Sequence, residues 1–264
     1  MSPKKLNNLL VPALKIAKQA GEIALTWFEQ RASLTIESKG HHDWVSEADR
    51  LVEHYIRDAL NHTFPDHHLL GEETGGEFEL PCWVVDPIDG TTNFLYGQAD
   101  FVVSMALIDQ HGPAIGIIYA PAHNRLFYAI RGMGAYEQKP DHDVVLQPRV
   151  SAKEQLVIGL NLNYQPKIAK QYLDHTQWLI QHGQQIRVSG SAAWTLTQVA
   201  NGELDGCYLG NVNIWDAMAA QLICEQAGLE ISAYLMESRS GPVWAWPKGS
   251  PLSQWIQNSS LKQE

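Results

Sequence analysis

Two aspartates, Asp86 and Asp89, follow directly on the apolar run Cys82-Trp83-Val84-Val85. A short, continuous apolar run bounded by Pro81 and Asp86 reads as a buried strand, so the two carboxylates leave the end of an interior element. The segment continues as Asp86-Pro87-Ile88-Asp89-Gly90-Thr91-Thr92-Asn93-Phe94. Pro87 stiffens the turn and Gly90 permits close backbone approach. Clustered carboxylates repel one another, and Asp and Glu oxygens with backbone carbonyls suit a hard cation such as Mg²⁺. If Gly90 and Thr91 open a helix, their free amides form a site for phosphate. An Asx turn with a helix cap accounts for the same residues without any ligand.

Around this segment, apolar periodicity predicts a helix from Leu6 to about Gln30 and a second one starting near Ser46, where Ser46 and Asp49 make a cap-like pair. Val102–Asp109, Ala114–Tyr119 and Arg125–Ile130 read as an antiparallel meander divided by turn residues. Beyond a polar stretch, 139–149, strands near 156–160, 206–209 and 243–246 alternate with helices near 168–182, 191–200 and 215–227. The expected organisation is an α+β half over residues 1–145 and an α/β half over 146–264, joined as one compact unit.

Three further acidic groups carry both a bland and a chemical reading. Glu72 and Glu73 in Gly71-Glu72-Glu73-Thr74-Gly75 fit a solvated loop, and Asp43 and Asp49 fit a solvated acid and a helix cap. Asp216, in Asn213-Ile214-Trp215-Asp216, fits a first-turn helix acid. Taken alone each fits the bland reading; together they offer carboxylates to the pair after the strand.

Composition narrows the field. Acids outnumber bases 29 to 19 in 264 residues, a formal charge of −10, which argues against a general grip on nucleic-acid backbone. No apolar run approaches the ~20 residues a bilayer span requires, and residues 1–5 have no apolar core of a signal peptide. A cytoplasmic location with no membrane partner is the expectation. Three cysteines without C-x-x-C spacing and eleven histidines, including the adjacent pairs His41-His42 and His67-His68, suggest neither a disulfide framework nor a zinc site.

The motifs in order resemble the inositol monophosphatase-like family of magnesium-dependent, lithium-sensitive phosphatases. The likeness runs from Asp43–Asp49 through Gly71-Glu72-Glu73, the nine residues from Asp86 to Phe94, Gly190-Ser191-Ala192-Ala193 and Trp215-Asp216. The resemblance implies a layered α-β-α-β-α sandwich of sugar-phosphatase type, usually a homodimer, that hydrolyses a small phosphate ester. It implies that Glu72, Asp86 and the carbonyl of Ile88 hold one Mg²⁺, that Asp86, Asp89 and Asp216 hold a second, and that a third leans on Glu72. Asp49, Thr91 and Glu72 would activate water. Asp89, Gly90, Thr91, Gly190, Ser191, Ala192 and Asp216 would meet the substrate, and Lys39 resembles a basic residue near the metals.

The likeness weakens at the substrate end. Leu209 stands where relatives acting on inositol phosphates carry a glutamate, and Met218 and Ala220 replace smaller residues. Leu209 is expected to disfavour a polyol hydroxyl that it cannot hydrogen-bond. The expected activity is an inositol-1-phosphate type of phosphomonoesterase. The alternatives are a 3′(2′),5′-bisphosphate nucleotidase, a fructose-1,6-bisphosphatase, a histidinol-phosphatase, or a non-catalytic binding or regulatory relative.

Overall fold

The strand that the apolar run predicts extends further than the run itself: it spans Cys82–Asp89, and every one of its residues is buried. In the computed structural model, residues 1–31, 36–40, 43–149, 155–161 and 166–253 are described, with side chains for 1–31, 46–149, 155–161 and 168–253. The side chains of Lys39 and Asp43 and the pair His41-His42 lie outside these.

The elements in order are α1 (Pro3–Glu29), β1 (Ile36–Gly40), β2 (Asp43–Ser46), α2 (Glu47–Thr63), β3 (His68–Gly71), β4 (Cys82–Asp89), α3 (Thr91–Tyr96), β5 (Val102–Asp109), β6 (Gly112–Ala120), β7 (Arg125–Ile130), β8 (Gly134–Gln138) and β9 (Val144–Val145). They continue as β10 (Val157–Leu160), α4 (Pro166–Gln181), β11 (Gln185–Arg187), α5 (Ala192–Ala200), β12 (Gly206–Asn213), α6 (Ile214–Gln226), β13 (Leu229–Ile231) and β14 (Ser240–Pro247). Strands β3 to β9 form one sheet in chain order, and the second sheet runs β11-β10-β12-β14-β13. The meander expected from Val102 to Ile130 is present, with β8 and β9 added to it. Part of the polar stretch after Lys139 therefore serves as the edge strand of the first sheet. Among the described residues no helix is long and apolar enough to cross a membrane.

Strand alternation sorts the core into layers. Trp83 and Val85 of β4 face α1 and α2, where Leu6, Leu10, Val52 and Ile56 are buried. Cys82 and Val84 face the opposite way, onto α5 and α6, whose far side rests on Cys207 and Leu209 of β12 and on Val243 and Ala245 of β14. Tyr208 and Trp246 point out of the second sheet toward Leu179 of α4. The result is an α-β-α-β-α sandwich, as expected. A bulge disturbs β4 itself: its register against β5 is regular through Asp86↔Ser104 and resumes at Asp89↔Val102. The bulge accommodates Pro87, which has no N–H for a ladder. It also lets two residues three apart aim at one place, where a regular strand would send them to opposite faces.

Candidate metal centre at the end of β4

Three segments outside β4 bring acids to its end. Glu72 follows β3, whose Gly71 pairs with Val85, and its backbone N–H donates to the Val85 carbonyl at 3.1 Å. Asp49 and Asp216 arrive on α2 and α6, each as the third residue of a capping box. In both boxes one carboxylate oxygen is tied to the cap. Ser46 N–H donates to Asp49 Oδ2 at 2.8 Å, and Asn213 N–H to Asp216 Oδ2 at 2.8 Å. The second oxygen is left for the interior, and Asp49 Oδ1 receives the Thr91 hydroxyl at 3.1 Å. The capping reading of both acids holds, and because a carboxylate has two oxygens it leaves one of each uncommitted to the cap.

Carboxylate oxygens of Glu72, Asp86 and Asp216 lie within 4.8 Å of one another. Asp86 is in side-chain hydrogen-bond contact with both Glu72 and Asp216, which carboxylates tolerate only with a proton or a cation between them. Burial raises the Asp86 pKa well above the carboxylate range, and the charges of Glu72, Asp89 and Asp216 raise it further. Burial, with the charge of Asp89, takes Asp216 up to about 7. Asp89 rises to about 6 through burial, held back by bonds from Ser191 and the amides of Ala193 and Ala192. Burial also lifts Asp49, against the hydrogen bonds from Ser46 and Thr91. Two like charges 4 Å apart repel by about 4 kcal/mol at an effective dielectric of about 20, so this group of acids calls for positive charge. Its donors are all oxygen, including the Ile88 carbonyl that accepts from Thr91 Oγ1 at 3.1 Å, and an oxygen-only set fits Mg²⁺.

Gly90 makes the turn from β4 into α3 with φ of 102°, and a Cβ there would stand 2.8 Å from the Asp100 carbonyl oxygen. Beyond it, the start of α5 grips Asp89. Ser191 Oγ and the Ala193 N–H each reach Oδ2 at 2.6 Å, and the Ala192 N–H reaches Oδ1 at 3.3 Å. Ser191 and Ala192, predicted to face the substrate, thus hold a carboxylate in place. Gly190 sits against Asn93, whose side-chain amide donates to the Asp100 and Ser189 carbonyls at 2.6 Å each and ties α3 to the turn before α5. Asn93 lies inside the quoted nine-residue motif, yet only the structure reveals its role. Glu53 of α2, discussed below, carries no motif signal at all.

The expectation for Leu209 needs correction. Leu209 is completely buried, paired with Val243 and packed against α5 and α6, so it offers no surface to a substrate hydroxyl. The register of β12 shifts between Leu209 and Val212, and Asn161 braces the shifted stretch by accepting from Gly210 N–H at 2.8 Å. Met218 and Ala220 are likewise wholly in the core. All three cysteines are buried, and burial pushes the Cys207 thiol up to about 12. His68 lies at the surface, with a ring nitrogen within 4.8 Å of carboxylate oxygens of the exposed Glu77 and Glu79.

The architecture and motifs match known proteins over most of the chain. A family model described as the inositol monophosphatase family covers residues 5–251. The chain is 31% identical to the Nus factor SuhB of Haemophilus influenzae, covering 92% of each. It is 35% identical to the inositol-1-monophosphatase of a Synechocystis species, covering 88% of this chain and 81% of that one. Its structure superposes on the extragenic suppressor protein SuhB of Bartonella henselae with a TM-score of 0.82 and 31% identity, over 91% of this chain and 94% of the other. With the layered fold and the carboxylate-lined end of β4 in agreement, the chain belongs to the inositol monophosphatase family.

Proposed function

We propose that the chain is a Mg²⁺-dependent phosphomonoesterase that hydrolyses a small polyol or sugar phosphate. The observation that carries this reading is the meeting of Glu72, Asp86 and Asp216 at an interior strand end with oxygen donors only. Glu72, Asp86 and the Ile88 carbonyl would hold one cation, Asp86, Asp89 and Asp216 a second, and Glu72 would help hold a third. When bound, the ions supply charge neutralisation for the ester's phosphate and lower the pKa of water.

The chain's own residues do the rest. The Thr91 hydroxyl has one proton and two acceptors at 3.1 Å, Asp49 Oδ1 and Ile88 O. Its lone pairs remain free to accept from a water, and so fix that water's direction. Asp49, buried beside it and made more basic than an ordinary carboxylate by that burial, is suited to take the proton, assisted by Glu72. Gly90 and Thr91 present their amides to the phosphate at the start of α3. Ser191 and Ala192 act through Asp89, while Gly190 and Asp216 line the ester's other side. No covalent intermediate on the protein is needed. A homodimer and a cytoplasmic setting belong to the same proposal.

Release of inorganic phosphate from inositol 1-phosphate, an adenosine 3′,5′-bisphosphate, fructose 1,6-bisphosphate and histidinol phosphate, with Mg²⁺ and with EDTA, tests the reading. Mg²⁺-dependent hydrolysis of one of them is expected. The Haemophilus relative is named a Nus factor and not a phosphatase, which favours a second reading, a non-catalytic binding or regulatory role. A chain that hydrolyses nothing in the panel moves the conclusion there.

A further inference from the structure

Glu53 lies on α2 one turn beyond Asp49, where the helix pattern alone would make it an ordinary acid paired with Arg57. Instead it is completely buried. Its Oε2 accepts the Glu73 N–H at 2.7 Å, and its Oε1 accepts the Thr74 N–H at 3.0 Å and the Thr74 hydroxyl. Arg57 Nη2 completes the cluster, donating to Glu53 Oε1 at 3.2 Å, to Thr74 Oγ1 at 2.5 Å and to the Gly75 carbonyl at 2.9 Å. The turn that receives these bonds is closed at its neck by Gly71 N–H donating to the Gly75 carbonyl at 2.9 Å. Gly71 is a requirement of this packing, since a Cβ there would fall 2.3 Å from Glu53 Oε1.

Glu72 is thereby fixed from both sides. Its own N–H is bound to the Val85 carbonyl of β4, and the next N–H in the chain is bound to Glu53. We propose that Glu53 is a positioning residue for Glu72: its buried carboxylate plugs the 71–75 turn from beneath and locks that turn to the helix that carries Asp49. Two acids from separate segments then hold a fixed spacing toward Asp86, as groups that orient ligands from behind do at metal sites. The inference rests on the metal-dependent reading above.

The test measures divalent-ion binding directly, with Mn²⁺ as probe and free Mn²⁺ read by electron paramagnetic resonance, beside melting curves in EDTA. Glu53→Gln keeps the shape but turns an –NH₂ toward N–H donors, and Mn²⁺ affinity is expected to fall by about 10- to 100-fold. Thr74→Val, at an exposed turn position, removes only the hydroxyl, and a loss of about threefold is expected, the turn retaining its two amide bonds. Exposed Glu47→Gln on the same helix carries the same change of charge and should bind as wild type does. A merely structural Glu53 would lower the melting temperature and leave the Mn²⁺ affinity of the folded protein unchanged, and that result overturns the inference. Should Glu53→Gln fail to fold, wild-type affinity in Thr74→Val overturns it equally. A wild-type chain that binds no Mn²⁺ refutes the phosphatase reading instead.

Discussion

Replacing Asp216 by Asn should stabilise the metal-free protein and destabilise the metal-loaded one relative to wild type. Burial and the charge of Asp89 carry the Asp216 pKa from 3.8 to about 7 in the folded state. Between those values the folded chain holds a proton that the unfolded chain has lost, so stability falls as pH rises through that window and stays low above it. The full displacement corresponds to about 4 kcal/mol. Because Asp216 is only partly buried, solvent screening reduces this to about 2 kcal/mol. Asn removes the charge, keeps an oxygen for the Asn213 cap bond, and offers Asp86 a donor. In EDTA at pH 8 the variant should therefore melt about 4–8 °C above wild type, using the dependence of melting temperature on chain size. The gap should close as pH is lowered toward 4, where wild-type Asp216 is protonated. Saturating Mg²⁺ should reverse the order, because wild type gains binding free energy that the variant lacks a ligand to match. Melting curves at pH 4, 6 and 8 with EDTA or Mg²⁺ make the comparison. A variant that is less stable than wild type in EDTA at pH 8, or that gains as much from Mg²⁺, refutes the account of this site as a set of mutually repelling acids awaiting cations.

Three further outcomes are expected. Thr91→Ala should lower kcat more than it raises KM, since orienting the attacking water matters chiefly in the transition state; steady-state kinetics on the best substrate decide, and an unchanged kcat with weaker binding would leave Thr91 as a phosphate anchor only. Ser191→Ala removes the 2.6 Å bond to Asp89 and the 3.1 Å cap bond to the Trp194 N–H, so it should cost about 1 kcal/mol in urea unfolding and raise the Mg²⁺ requirement. Leu209→Glu places a carboxylate in the apolar layer beneath α5 and α6; a loss of several kcal/mol is expected by denaturant titration, and a stable variant with improved inositol 1-phosphate turnover would show that position 209 faces the site after all.

How far the sequence reaches depends on whether a feature is made by neighbours in the chain. Helix α2 was legible because Ser46 and Asp49 cap it and Val52, Ile56 and Leu60 repeat along one face, all local facts. The interior position of β4 was legible from four apolar residues, but not its continuation to Asp89, because acids and a proline contradict every strand preference unless a bulge and a charged site lie there. Short strands such as β3, β11 and β13 have three or four residues and too little alternation to register, so the order of the two sheets stayed hidden. The five acids were each visible as motifs, yet spacing could not decide between cap and ligand. The fold adds what spacing lacks: it aims the spare oxygens of two capped helices at one strand end. Leu209 shows the reverse failure: counting back from Asp216 gave it a place in the site, while the shifted register of β12 and full burial give it to the core. Glu53 marks the limit. Beside the Thr74 hydroxyl and Arg57, its partners are the amides of Glu73 and Thr74, which any residue type would supply, and an i,i+4 pair with Arg57 looks like any surface helix pair. What orders a carboxylate cluster of this kind is therefore least visible where it works through backbone, and that is where substitutions chosen from motifs alone would overlook it.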